Sequence, residues 1–223
     1  MARAPAEKAS HGVVRLPPGR HGLSRDAVAE SQRERLLNGV VEATVAHGYI
    51  ATTIDQLTEA ASVSKRTFYE HFANKEECFL AAYEMIVAHL RDSLREAEEQ
   101  SSWPERVRAE LAVLLGIFAA DATVARFALL ESLAAGGAVA ERHRASLRCL
   151  AELLRPEPPA AADALAEARE QALVGGLSTL VVRRLRTGQA DGLEELLPDL
   201  HELVLTSYLG RGEARRLARS PAA

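Results

Sequence analysis

Apolar residues recur at spacings of three and four along most of this 223-residue chain. The first such run contains Leu36, Leu37, Val40 and Val41 and stops at Gly48. These spacings place side chains on one face of a helix, whereas a half-buried strand needs alternation with a period of two. Val and Ile follow the helical spacing almost throughout, so the sequence predicts an all-α protein.

Capping residues and breaks divide the chain into predicted helices. Thr53 and Gln56 have the spacing of a capping box, and Ser64 and Asn74 are suited to begin the third and fourth helices. The predicted helices cover residues 31–47, 53–61, 64–72, 74–100, 104–119, 122–135, 138–155, 161–187 and 193–209.

Composition excludes several classes of protein. The chain has 48% apolar and 26% charged residues, and no run approaches the roughly 18 apolar residues that would span a bilayer. The N-terminus lacks an apolar core of secretory length, so we expect a cytoplasmic protein without a membrane partner. Cys78 and Cys149 have no CxxC partner, which argues against a disulfide framework and a zinc site. No metal and no cofactor are predicted.

The net charge of −4 is unevenly distributed. Residues 1–75 hold ten Lys and Arg against eight Asp and Glu, whereas residues 76–223 hold 17 against 23. Because phosphate binding needs a positive surface, only the front of the chain is suited to nucleic acid. Residues 1–27, with Pro17 and Pro18, are predicted to form a disordered basic arm; a cloning remnant and a solubilising tail are alternatives.

The stretch SVSKRTFYEHFANKEE, residues 62–77, concentrates cations and aromatics in a chain with only 4% aromatic residues. Three interpretations compete: a helix that reads nucleic acid, an aromatic ligand box, and the core of a small helical subdomain. Two short helices joined by a turn, the second cationic at its start, are typical of a helix-turn-helix. Val63, Phe68 and Phe72 can then face inward, which leaves other faces to Lys65, Arg66, Thr67, Tyr69 and His71.

These residue types fit contacts with DNA. Arg66 can donate bidentate hydrogen bonds to a guanine edge, a contact worth roughly 1–3 kcal/mol of discrimination. Thr53 and Lys75 lie at predicted helix N-termini, where backbone amides also attract phosphate. A solvated helix face is the alternative for Lys65 and Arg66, and a structural histidine is the alternative for His71.

The run AHGYIATTIDQLTEAASVSKRTFYEHFANKEECF, from Ala46 to Phe79, resembles the tetracycline-repressor (TetR) family of bacterial transcriptional regulators. Its matching positions are Gly48 and Tyr49, Thr52 and Thr53, the turn at Val63 and Ser64, the block from Thr67 to Phe72, and Lys75 with Glu76. Ser62 stands where the family usually has glycine, and Thr58 where alanine is common. The resemblance implies that Thr53, Tyr69, His71 and Lys75 hold the DNA backbone while Lys65, Arg66 and Thr67 approach base edges, with Ser64 completing the predicted set.

Beyond residue 80 the resemblance rests on helix order and implies a helical-bundle domain for ligand binding and dimerisation. The predicted division is therefore an arm (1–27), a helix-turn-helix domain (28–77) and a ligand-binding and dimerisation domain (78–223). We expect the last two long helices to form the dimer through the apolar stripes at Leu173–Val181 and Leu193–Val204, although both stripes could instead face the core of one subunit. The predicted pocket residues, each of which could equally be core, are Trp103, Phe118, Phe127, Glu131 and Cys149.

The resemblance implies a homodimeric regulator, a repressor in the first instance, that reads an inverted repeat. A small-molecule effector would release the DNA operator by shifting the fourth helix. An activator of the same fold and a helical adaptor without DNA binding are the alternatives. An enzyme is not expected, because the sequence contains no HExxH, GxxxxGK[ST] or GxSxG motif.

Overall fold

The computed structural model describes residues 24–95, 102–156 and 165–218, whose regular secondary structure is entirely helical. This confirms the predicted fold class. A π-helical turn, Phe127–Glu131, interrupts the sixth helix, and a 3-10 helix, Ala190–Leu196, precedes the ninth. The helices are α1 (Arg25–His47), α2 (Ile54–Ala60), α3 (Lys65–His71), α4 (Lys75–Arg95), α5 (Trp103–Ala120), α6 (Ala122–Ala135), α7 (Gly137–Leu153), α8 (Ala166–Arg186), α9 (Leu197–Leu209) and α10 (Arg211–Ala218).

The first helix begins earlier than its apolar pattern indicates. The Ser24 hydroxyl accepts a hydrogen bond from the backbone N–H of Ala27 and caps α1. The first turns of α1 are exposed, so no apolar stripe marks them in the sequence. The last residues of the predicted arm, 25–27, therefore belong to α1. Residues 1–23 lie outside the described part.

Three other predicted boundaries differ from the structure. The helix predicted from residue 193 starts as a 3-10 helix and becomes α-helical at Leu197. The last helix, α10, was not predicted, because Ala214 is the one buried apolar residue among residues 211–217. The predicted helical residues 96–100 and 161–164 lie outside the described part of the chain.

The helix-turn-helix forms through the caps that the sequence predicts. Thr53 and Gln56 make a complete capping box at the start of α2, and Ser64 Oγ accepts from the Thr67 N–H at 3.1 Å. Gly39 lets α2 approach α1, since a Cβ at this position would lie only 2.8 Å from the backbone nitrogen of Ala61. α1 and the short α2 therefore pack with almost no space between them.

One hydrophobic core joins the helix-turn-helix to the helices behind it. Phe68 is fully buried and Phe72 almost so, as predicted, against residues of α1 and α4. The same core contains Phe127 from α6, whose ring stacks on Phe79 of α4 with centroids 4.1 Å apart. The π-helical turn of α6 is therefore packed directly against the N-terminal domain.

A second core lies among α5, α8, the 3-10 helix and α9. Leu173, Val174, Leu177 and Val181 are each at most 7% exposed, and Leu193, Leu200 and Val204 at most 2%. The prediction that these stripes form a dimer interface is wrong, because α8 and α9 direct them into the subunit's own core. Leu203 is the exception on α9, with 39% of its surface exposed.

Within the described ranges, no single helix is both long and apolar enough to cross a bilayer. Taken together, α5 and α6 are long and apolar enough to meet this criterion, but the chain bends by 108° between the two helices.

Candidate nucleic-acid interface and ligand cavity

The outer face of α3 carries the cationic and aromatic side chains predicted to contact DNA. The side chain of Arg66 is 90% exposed and that of Lys65 56% exposed. Tyr69 is 60% exposed and packs edge-to-face on the buried Phe68 ring, with centroids 5.3 Å apart. Buried phenyl rings thus anchor α3 while its polar face remains open to a partner.

Two exposed ion pairs hold the cations of α3 in the free protein. Lys65 Nζ lies 2.5 Å from an oxygen of Asp55 on α2, and Arg66 Nε lies 3.0 Å from Glu70 one turn along α3. The Asp55 carboxylate raises the pKa of Lys65 through its hydrogen bond and its charge. Exposed pairs of this kind contribute little to stability, so a phosphate or a base edge can replace either carboxylate.

Three of the predicted contact residues have structural roles at helix ends. Thr53 and Ser64 cap α2 and α3, and the Thr67 hydroxyl lies 3.0 Å from Ser64 Oγ. Thr53 and Ser64 are exposed and Thr67 is half-buried. His71, also half-buried, ends α3 with its ring 6.4 Å from that of Phe72. Their predicted contacts with DNA stay predictions.

The turn between α2 and α3 adopts a conformation that favours glycine. Ser62 has φ +52°, the one positive value at a non-glycine position among the described residues. This explains why the resembling family usually has glycine here, since the left-handed region is costly for other residues. The guanidinium of Arg35 on α1 donates to the Ser62 carbonyl at 3.2 Å and ties the turn to α1.

Lys75 points into the protein, in contrast to the cations of α3. Its ammonium group donates to the carbonyl oxygens of Tyr49 at 2.6 Å and Thr52 at 2.8 Å. It also lies 4.4 Å from the centroid of the Tyr49 ring, a cation–π contact. Burial lowers the pKa of Lys75. Lys75, which was predicted to contact phosphate, therefore holds the loop between α1 and α2 in this structure.

The same loop is held from the other side by a carboxylate of α6. Glu131, at the end of the π-helical turn, accepts a hydrogen bond from the backbone N–H of Tyr49 at 2.7 Å. Tyr49 is thus bound through its N–H by Glu131 and through its carbonyl by Lys75. The predicted role of Glu131 as a pocket residue is wrong, because its carboxylate faces this loop.

A second carboxylate joins the start of α4 to the start of α7. Glu76 Oε1 accepts from the backbone N–H of Ala138 at 3.1 Å. Gly137, with φ +49°, leaves room for this carboxylate, which would clash with a side chain there. Hydrogen bonds therefore link the helix-turn-helix region to α6, through Glu131, and to the start of α7, through the Ala138 N–H.

A cavity of about 140 Å³ lies among α4 to α9. Its wall is mainly Leu, Val and Phe, and the π-helical turn contributes Ala128 and Leu129. Polar side chains are few and are supplied chiefly by α4 and α7: Tyr83, Arg91, His143, Ser146 and Cys149, with Ser178 from α8.

The predicted pocket residues divide into two groups. Phe118 and Cys149 line the cavity, and their contact with a ligand stays a prediction. Trp103 does not, because its indole N–H donates to the Leu154 carbonyl at 3.3 Å and its ring packs on Tyr208. Phe127 belongs to the core shared with α4.

Sequence reasoning missed the polar end of the cavity. Tyr83 and His143 are nearly buried and hydrogen-bonded to each other, although they are far apart in the chain. The one available signal was a polar residue on the inner stripe of each helix. In the described part of the chain, no group of three His, Cys, Asp or Glu is arranged to hold a metal ion.

Comparison with known proteins connects this geometry to a family. Residues 36–82 match the family described as bacterial regulatory proteins, tetR family. The HTH-type transcriptional regulator TcmR of Streptomyces glaucescens is 39% identical over 73 residues, 33% of this chain and 32% of that protein. The HTH-type transcriptional activator FasR of Mycolicibacterium smegmatis is 32% identical over 92 residues, 41% of this chain and 42% of that protein. Each match spans less than half of the relative.

Solved structures resemble the whole fold. The fatty acid degradation regulator FadR from Bacillus halodurans has a TM-score of 0.66 at 20% identity, covering 77% of this chain and 97% of its own. FadR from Bacillus subtilis, in complex with stearoyl-CoA, has a TM-score of 0.66 at 17% identity, covering 78% and 98%. A TetR-like regulator from Rhodococcus sp. RHA1 has a TM-score of 0.62 at 22% identity, covering 84% and 99%. Identities this low establish the fold alone.

The two lysines of this region are expected to differ in their contribution to folding. Lys75→Met should lower the free energy of unfolding by roughly 2–3 kcal/mol, because two partly buried carbonyls lose a charged donor. Lys65→Met is the matched control and should change stability little, since its ion pair is exposed. Urea denaturation of both variants measures the difference. Equal losses would contradict the structural role of Lys75.

Proposed function

Because residues 36–82 match the family described as bacterial regulatory proteins, tetR family, we propose that this protein is a ligand-responsive homodimer that represses transcription from an inverted-repeat operator. The observation that carries the proposal is the exposed face of α3, where Lys65, Arg66 and Tyr69 surround a buried phenylalanine anchor. The similarity to these regulators also supports a regulator rather than an enzyme.

Sequence would be read by α3 in the major groove. Arg66 has the longest reach and the greatest exposure of the set, and its fork of donors matches the two acceptors of guanine. Lys65 and Tyr69 lie on the same exposed face and are suited to phosphates or base edges. Repression follows if the bound dimer blocks transcription. The similarity to the activator FasR favours activation as the second candidate.

The dimer is proposed to form through the outer faces of α8 and α9, in place of the stripes that the sequence suggested. Small exposed residues follow one another along α8: Ala168, Ala172, Gly175 and Thr179. No atom lies within 4 Å of a Cβ built at Gly175 or Gly176. Each glycine costs a helix interior about 1 kcal/mol relative to alanine, which close approach of a partner helix would offset. Leu203 on α9 supplies exposed apolar surface.

The effector is proposed to bind the cavity among α4 to α9. The Bacillus subtilis FadR structure is a complex with stearoyl-CoA, so a protein of this fold can bind a ligand that carries a long apolar chain. Here the wall is also predominantly apolar, but the volume of about 140 Å³ suits a much smaller molecule unless the helices separate.

Release of DNA is proposed to start at the π-helical turn of α6. Ala128 and Leu129 line the cavity, while Phe127 and Glu131 contact α4 and the loop after α1. Such turns are less regular than α-helix and are frequent at functional sites. A ligand that displaces Ala128 and Leu129 would move Glu131 and, through Tyr49, the helix-turn-helix. The predicted shift of α4 then accompanies this movement through the Phe79–Phe127 stack.

Selection from random DNA duplexes tests the DNA-binding role. The full chain should enrich an inverted repeat, and its affinity should fall steeply between about 50 and 200 mM salt, because phosphate neutralisation releases counterions. The Arg66→Ala, Tyr69→Ala double variant should bind the selected duplex at least tenfold more weakly with unchanged thermal stability. Arg95→Ala, which removes an exposed cation of α4, is the control and should bind normally. Unaltered binding by the double variant would favour the adaptor alternative.

The proposed dimer surface predicts a change of oligomeric state. Gly175→Glu should convert the dimer to a monomer at micromolar concentration, because it places bulk and charge where the partner helix approaches. Gly212→Glu is the matched control on α10, where a Cβ also has open space. Sedimentation velocity measures both variants. A dimeric Gly175→Glu protein would contradict the proposed interface.

A further inference from the structure

At the polar end of the cavity, Tyr83 and Ser132 both lie within hydrogen-bonding distance of His143. Ser132 Oγ donates to the Ala128 carbonyl at 2.6 Å, so its single proton is used. Tyr83 Oη lies 3.0 Å from Nδ1 of His143, and Ser132 Oγ lies 3.3 Å from the same nitrogen. A buried hydroxyl needs an acceptor for its proton, and Tyr83 has two within reach: Nδ1 of His143 and the hydroxyl of Ser146, whose own proton goes to the Arg142 carbonyl at 3.1 Å.

The 3.0 Å contact between Tyr83 Oη and Nδ1, shorter than the 3.3 Å contact of Ser132, favours one tautomer of His143. Burial lowers the pKa of His143 and raises that of Tyr83, so both are neutral near pH 7. If Nδ1 accepts the Tyr83 proton, the imidazole carries its hydrogen on Nε2. Among the described residues nothing accepts from that N–H, although His143 is only 5% exposed and lines the cavity. An unused donor in an apolar cavity is a recognition feature for a ligand.

The rest of the wall limits the charge and size of that ligand. Arg91 is the one Lys or Arg that lines the cavity within the described residues; it is exposed, and its guanidinium lies 3.8 Å from Cys149 Sγ. Among the described residues, no Lys or Arg lines the inner end, and the charges of Arg142 and Arg144 act on Tyr83 and His143 from outside the wall. A carboxylate buried there would have no directly paired cation, which is very costly. A volume of about 140 Å³ is close to that of a cavity that holds a benzene ring.

We propose that the cavity binds a neutral, ring-sized apolar molecule with one hydrogen-bond acceptor, such as a carbonyl oxygen, which accepts from the Nε2–H of His143. This inference rests on the proposed function of the cavity as the effector site. Tyr83 is then a positioning residue, because it acts on the hydrogen bond to the ligand through the tautomer of His143.

A pair of probes of the same shape tests the proposal. Acetophenone has a carbonyl where α-methylstyrene has a methylene group, and benzoate has a carboxylate. Calorimetric titration of the full chain at pH 7.5, without DNA, should show acetophenone binding roughly 2–10-fold more tightly than α-methylstyrene, the factor that one net hydrogen bond supplies. Benzoate should not bind the inner end measurably.

The double variant Tyr83→Phe, His143→Phe removes both partners of the buried hydrogen bond and leaves no unpaired hydroxyl. Its preference for acetophenone over α-methylstyrene should disappear, while it still binds α-methylstyrene. The single variant Tyr83→Phe keeps the imidazole and should retain part of the preference.

Equal affinity of the wild-type protein for the two neutral probes, tightest binding of benzoate, or no binding of either neutral probe would each overturn the proposal. These outcomes would leave the regulatory role untouched, because enrichment of an inverted repeat is measured separately and without ligand.

Discussion

The structure depends on two oppositely charged side chains that hold the loop between α1 and α2 through hydrogen bonds. Lys75 donates to the carbonyls of Tyr49 and Thr52, and Glu131 accepts from the Tyr49 N–H. Charged groups form the stronger class of hydrogen bond, and both of these are partly buried. The loop leads directly into α2, so its position sets that of the helix-turn-helix relative to the helices behind it.

These hydrogen bonds connect the two proposed activities of the chain, DNA binding and effector binding. Phe68 and Phe72 anchor α3, whose opposite face would contact DNA. Both rings share a core with Phe127 of α6. The next residues of α6, Ala128 and Leu129, line the cavity. One turn of irregular helix therefore touches both the proposed effector site and the support of the DNA-reading helix. Coupling between sites requires such an element with two alternative arrangements, and the π-helical turn is the candidate.

Local features were predictable from the sequence and long-range ones were not. The caps at Thr53 and Ser64 form with neighbours three residues away, so spacing alone identifies them. The inward orientation of Lys75 depends on carbonyls 23 and 26 residues earlier, and that of Glu131 on an amide 82 residues earlier. The apolar stripes of α8 and α9 were located correctly, but periodicity does not distinguish a partner subunit from the subunit's own core. For the same reason, Trp103 and Phe127 were assigned to the wrong packing site.

Residue-resolved amide hydrogen exchange of the Tyr49 N–H tests the central claim most directly. In Glu131→Ala this amide should exchange at least about tenfold faster than in the wild-type protein, because it loses a charged acceptor. In Glu131→Gln, which keeps an acceptor oxygen, it should remain largely protected. The Thr52 N–H, which donates to the Gly48 carbonyl, is the internal reference and should not change. An unchanged Tyr49 exchange rate in Glu131→Ala would contradict the account, since the loop would then be held without α6.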